Sequence, residues 1–208
     1  MGNITKQDLS NAYSYAEYRD LIDRLYSENK ATGTNHSDAY LHYTKMNVAR
    51  MKRLDKTTTL NAEVLEILPS LPPMDWVVLT EGWCGDAAQN IPVFEKIAEA
   101  SEGKITLHYL LRDENLPIMD EYLTNGGRSI PKLVALHKES GEELGTWGPR
   151  PEPVQDMVME FRKQEDGDYQ QFVEVVQKWY AKDKTQAIQG EMLALFKTWA
   201  QAENIAVG

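Results

Sequence analysis

The chain has 208 residues, 42% hydrophobic and 26% charged, the composition of a folded protein large enough to bury its core without disulfides or a structural metal. Its formal net charge of −10, uninterrupted by any basic cluster, argues against nucleic acid or an anionic membrane as partner, because phosphate binding rests on clustered Lys and Arg. The single cysteine, Cys84, allows no intramolecular disulfide.

The opening stretch MGNITKQDLSNAYSYAEYRD is polar and holds no apolar signal-peptide core. No run elsewhere nears the roughly 20 apolar residues that span a bilayer, so a cytoplasmic address is expected. Tyr18, Leu21, Ile22, Leu25 and Tyr26 fall at i, i+3, i+4, i+7 and i+8 and predict an amphipathic helix. Gly33 and Asn35 break the pattern, and Ser37 reads as the N-cap of a second helix reaching about Leu54. Residues 1–58 thus read as a helical extension.

Pro69, Pro72 and Pro73 mark a change of pattern. WVVLTE (76–81) suits a buried strand, and from Cys84 the spacing turns helical, with Ala87, Ala88, Ile91, Phe94, Ile97 and Ala98 on one side. KITLHYLLR (104–112) is again strand-like. NLPIMDEYLTNGG (115–127) reads as a helix with Pro117 in its first turn and Gly126-Gly127 as its stop. PKLVALH (131–137) and EELGTW (142–147) form a hairpin across KESG. A helix follows Pro151, and another begins near Asp168. The latter carries a stripe of Phe172, Val175, Val176, Trp179 and Tyr180, renewed by Ile188, Met192, Leu195, Phe196 and Trp199, as one bent helix or two. The order β-α-β-α-β-β-α over residues 59–166 predicts an α/β core, a mixed sheet with helices on both faces, and residues 167–208 read as a helical extension packed on it.

The segment TEGWCGDAAQN (80–90) places Cys84 at a strand-to-helix junction. A cysteine there sits among unpaired N–H groups at the positive end of the helix dipole. Both favour the thiolate, and such settings bring a thiol pKa from ~8.5 into the range of roughly 3.5 to 7.5. Asp86 opposes this, since a carboxylate nearby disfavours a second negative charge. The plainer alternative is that Cys84 is a small buried hydrophobe. His36, His42, His108 and His137 are scattered without ligand spacing, so neither a metal nor a resident cofactor is expected.

Trp83-Cys84-Gly85 ends the first strand and Pro92 follows within the helix; Pro131 in RSIPKL precedes the third strand and Gly148 in TWGPRP follows the fourth. In that order these residues resemble the thioredoxin-like family over roughly residues 60–165. The nearer likeness is to a bacterial branch with W-C-G-D-A, G-R-S-I-P and W-G-P-R-P segments. The resemblance implies a thioredoxin-like fold with Cys84 as nucleophile and Trp83, Gly85, Ile130, Pro131 and Gly148 lining its groove. It also implies a cis Ile130–Pro131 bond and two arginines, Arg128 and Arg150, close enough to offset Asp86.

Ala87 stands where a Cys-x-x-Cys pair has its second cysteine, so a self-contained dithiol cycle is impossible. What remains is monothiol chemistry. Cys84 would form mixed disulfides with protein or small-molecule thiols and disulfides, resolved by glutathione or another low-molecular-weight thiol as co-substrate. The alternative is a redox-inactive binding or regulatory module of the same fold, its added helices offering a partner or dimer surface. Monomer and homodimer are both compatible with this composition.

Overall fold

The computed structural model describes residues 4–206, with side chains through Gln201, so the first three residues of the polar N-terminal stretch and the last two of the C-terminal extension lie outside the description. Two capping boxes start the N-terminal helices. Thr5 and Asp8 cap α1 (Lys6–Asn11), and Ser14 and Glu17 cap α2 (Tyr15–Ser27). Tyr18 and Ile22 of the expected stripe are buried, while Leu21, Leu25 and Tyr26 lie half-buried at its margins. Then come α3 (Asp38–Thr57), running past Leu54, and the short α4 (Ala62–Ile67).

The prolines deliver the chain into β1 (Met74–Thr80), buried along its whole length. A crossover helix, α5 (Gly85–Ala100), carries it to β2 (Ile105–Leu111), which pairs with β1 in parallel. After α6 (Leu116–Met119), strand β3 (Lys132–His137) pairs antiparallel with β1, and β4 (Glu143–Trp147) pairs antiparallel with β3. The sheet order is β2-β1-β3-β4. Because β1 has neighbours on both edges and helices on both faces, it has no solvent side, hence its continuous apolar run.

Residues of β1 alternate between the faces. Trp76 meets Phe94 of α5 at 6.0 Å between ring centroids. On the same face the Tyr18 hydroxyl lies 3.1 Å from Thr80 Oγ1, and the Tyr18 ring stacks on Tyr109 of β2. On the opposite face His108 of β2 bonds Asp75 and the Leu9 carbonyl of α1. The mixed α/β sheet with helices on both sides agrees with the sequence reading.

The segment 115–127 departs from expectation, for only Leu116–Met119 is α-helical. Thr124 and Gly127 exchange hydrogen bonds around Asn125 and Gly126, whose φ values are 50° and 75°. The Asn-Gly pair is itself a tight turn, so the glycines belong to the turn and not to a helix stop. Downstream stand α7 (Glu152–Phe161), α8 (Tyr169–Asp183) and α9 (Gln186–Ala206). Lys184 and Thr185, with φ of 53° and 67°, separate α8 from α9, so the long stripe is two helices. Phe196 and Trp199 of α9 close on Trp76 at 5.9 and 6.2 Å, making that helix part of the principal core.

Candidate functional site

Past β1 the chain turns sharply, Cys84 N–H donating to the Glu81 carbonyl at 3.1 Å. That turn sets Cys84 as the N-cap of α5, and its sulfur accepts the Ala87 N–H at 3.5 Å. The thiol in turn donates to the Ile130 carbonyl at 3.2 Å. The Ile130–Pro131 and Gly148–Pro149 peptide bonds are both cis. Gly148 has φ +110°, and a Cβ there would stand 2.3 Å from the Pro131 carbonyl oxygen, so only glycine lets the two loops lie together. Cys84, Ile130, Pro131 and Gly148 are thus assembled at the start of α5, whose first residue is Gly85. Trp83 stands half-buried at the margin, its ring 4.8 Å from Tyr40 with the Arg112 guanidinium 4.9 Å above it.

The Asp86 carboxylate is held on both oxygens. Arg150 Nε donates to Oδ2 at 2.8 Å, and the Tyr180 hydroxyl donates to Oδ1 at 2.8 Å. Arg128 is not brought to the thiol. It is exposed and forks onto Asp120 at 2.6 and 2.9 Å, so the expectation that it offsets Asp86 is corrected. The bidentate pairing of a guanidinium with a nearby surface carboxylate holds it there.

The acidity of the thiol also runs against expectation. Burial pushes the Cys84 thiol up to about 12, and the Asp86 carboxylate adds to the effect. The Ala87 N–H and the Arg150 guanidinium pull downward without prevailing. The helix terminus therefore acts in the expected direction but is outweighed by desolvation, with Cys84 only 9% exposed.

Helix α8 lies across the start of α5. The Gln177 amide nitrogen stands 3.1 Å from where a Gly85 Cβ would be, and its oxygen accepts from Gln89 at 2.7 Å. Asn90 donates to the Tyr180 hydroxyl at 3.3 Å, and Val176 and Tyr180 pack with Val154 of α7. Gln89, Asn90 and Gln177 are not singled out by the sequence, and Tyr180 is read there only as part of an apolar stripe. The stripe on α8 was readable, but its polar margin looks like a solvated face until the tertiary neighbour is known.

Among the described residues no group of three or more His, Cys, Asp or Glu is placed to hold a metal. No helix of the described residues is long and apolar enough to cross a membrane.

A family model described as thioredoxin matches residues 33–165, taking in α3 and ending before α8. No curated protein matches the chain. Among solved structures it is similar to a protein of unknown function from Pseudomonas aeruginosa, 18% identical, covering 89% of this chain and 98% of that one with a TM-score of 0.53. It is also similar to an HIV epitope-scaffold, 17% identical, with the same coverage and a TM-score of 0.52. At such identities these structures speak for fold alone. Since the family model takes in well over half of the sequence, the chain belongs to the thioredoxin family.

Proposed function

We propose that this chain is a thioredoxin-fold binding or regulatory module whose single cysteine, in the conformation described, is stored as a thiol and does not turn over. The observation that carries this reading is the hydrogen bond from the buried Cys84 thiol to the Ile130 carbonyl. That bond uses the proton a nucleophile must lose, and a thiol is a far weaker nucleophile than a thiolate. With burial pushing the thiol up to about 12, the thiolate is a minor species at neutral pH. The partner class is a protein segment docking at Trp83, Gly85 and Gly148, the half-exposed rim over the buried Ile130 and Pro131.

A second reading has its own observation. The sulfur still accepts the Ala87 N–H at the start of α5, beside the Ile130–Pro131 segment. In that reading Cys84 is a monothiol nucleophile. Its thiolate attacks one sulfur of a disulfide, the S–S bond breaks, and the other sulfur leaves as a thiolate that takes up a proton. Glutathione or another low-molecular-weight thiol then attacks the mixed disulfide and restores Cys84. A cytoplasmic address, where small thiols are abundant and reduced, suits both readings, and neither needs a resident cofactor.

One experiment separates them. The native chain is incubated at neutral pH with oxidised glutathione and, separately, with cell extract, and its intact mass is read beside a denatured control and Cys84→Ser. The binding-module reading expects adducts on the denatured chain only. Rapid adduct formation on native Cys84 overturns it in favour of monothiol exchange.

A further inference from the structure

Between α3 and α8 lies a groove of about 410 Å³, within the range of roughly 300–1,000 Å³ typical of small-ligand sites. Met46 of α3 and Val173 of α8 line its body. Its charged groups are Arg50, Glu174 and Lys178, and His42 also lines it. Glu174 and Lys178 pair with each other at 3.5 Å one turn apart, so their charges cancel. Arg50 has no carboxylate partner among the described residues. Its one hydrogen bond, Nη1 to Asn47 Oδ1 at 2.8 Å, leaves most of the guanidinium fork free.

That unpaired cation is half-buried in a chain of net charge −10. Burial and the neighbouring Arg53 both act to disfavour its charge. An uncompensated charge in such a place costs free energy that an anion in the groove would recover. A second donor stands close by. The positions of Arg50 Nη1 and Gln177 Nε2 are 3.8 and 3.1 Å from the point where a Gly85 Cβ would lie. The Gln177 oxygen is already engaged by Gln89, which leaves the amide N–H groups to donate.

We propose that this groove is a binding site for a small organic monocarboxylate, its apolar body on Met46 and Val173 and its carboxylate on Arg50 and Gln177. With histidine counted as neutral, the lining carries one net positive charge, which matches a monoanion. A phosphate carrying two charges would leave one of them uncompensated by that lining. The inference is independent of how Cys84 reacts, since the sulfur takes no part.

The test titrates the full chain with phenylpropionate and with its neutral amide, following backbone amide NMR shifts. Saturable shifts confined to α3, α8 and the start of α5 are expected with the carboxylate. The neutral amide, and Arg50→Ala with the carboxylate, are expected to bind at least about tenfold more weakly. Arg50→Lys keeps the charge without the fork and is expected in between. Val173→Trp, which fills the groove from α8, abolishes binding, and Cys84→Ser binds like the parent chain. Unaltered shifts away from the groove show that the Arg50 variants are folded. Non-saturating shifts, equal binding of the neutral amide, or undiminished binding by folded Arg50→Ala would overturn the proposal.

Discussion

Two opposing influences act on one sulfur at Cys84. A helix N-terminus stabilises a charge by about 0.3–1 kcal/mol in ordinary settings, less than the 1.36 kcal/mol that one pKa unit represents. Full burial shifts a thiol by several units the other way, so burial wins. The consequence for stability has a definite sign. An acid whose pKa is raised on folding, here from 9.0 to about 12, contributes stability that is fully present below pH 9.0 and is lost as the pH rises towards 12. Urea denaturation across that alkaline window should therefore show a shallower loss for Cys84→Ala than for the parent chain. Buried Tyr18, Tyr109 and Tyr180 are also raised but are common to both proteins, so the difference reports the thiol together with its small influence on Tyr18. Parallel profiles would contradict it. At Gly148 the geometry is stricter, because a methyl would meet backbone and not a movable side chain. Gly148→Ala should lose at least about 1–3 kcal/mol in the same assay. The position of Cys84 at the start of a helix was legible in the sequence. Its burial was not, because it depends on residues distant in sequence such as Ile130, whose carbonyl accepts from the thiol, a distance that local pattern does not cross.

At the scale of elements, α8 braces the start of α5. Tyr180 joins it to α5 through Asp86 and Asn90, and its ring packs on Val154. Tyr180→Ala should cost about 3–5 kcal/mol and raise the alkylation rate of Cys84 as α8 loosens. An unchanged rate would show that α8 does not mask the thiol. The strands were readable because a buried strand and a hairpin each leave a local signature in the sequence. The helix expected over 115–127 failed for a local reason that the sequence did contain. Asn125-Gly126 is a strong tight-turn signal, and it prevails over the apolar spacing of Leu116, Ile118 and Met119. The break between α8 and α9 left no such signal, because Lys184 and Thr185 adopt positive φ without a glycine.

For the whole molecule, residues beyond the family match complete the core. Phe196 and Trp199 of α9 are fully buried against Trp76, and Gln189, also buried, accepts the Asn61 N–H and donates to the Thr59 carbonyl. The C-terminal stripes were legible as helices, but which surface they cover depends on contacts more than a hundred residues apart. Trp199→Ala should destabilise the chain by about 3–5 kcal/mol with a single unfolding transition. A cost near zero would mark α9 as dispensable to the core. The proposed function rests on a thioredoxin fold with its sulfur in place, buried, and its proton retained. The pH dependence of native Cys84 alkylation by iodoacetamide, read by intact mass beside the unfolded chain, tests this most directly. The rate should stay far below that of the unfolded chain at neutral pH and rise about tenfold per pH unit without a plateau below pH 10. A plateau near neutral pH, with the native chain reacting as fast as the unfolded one, would contradict it.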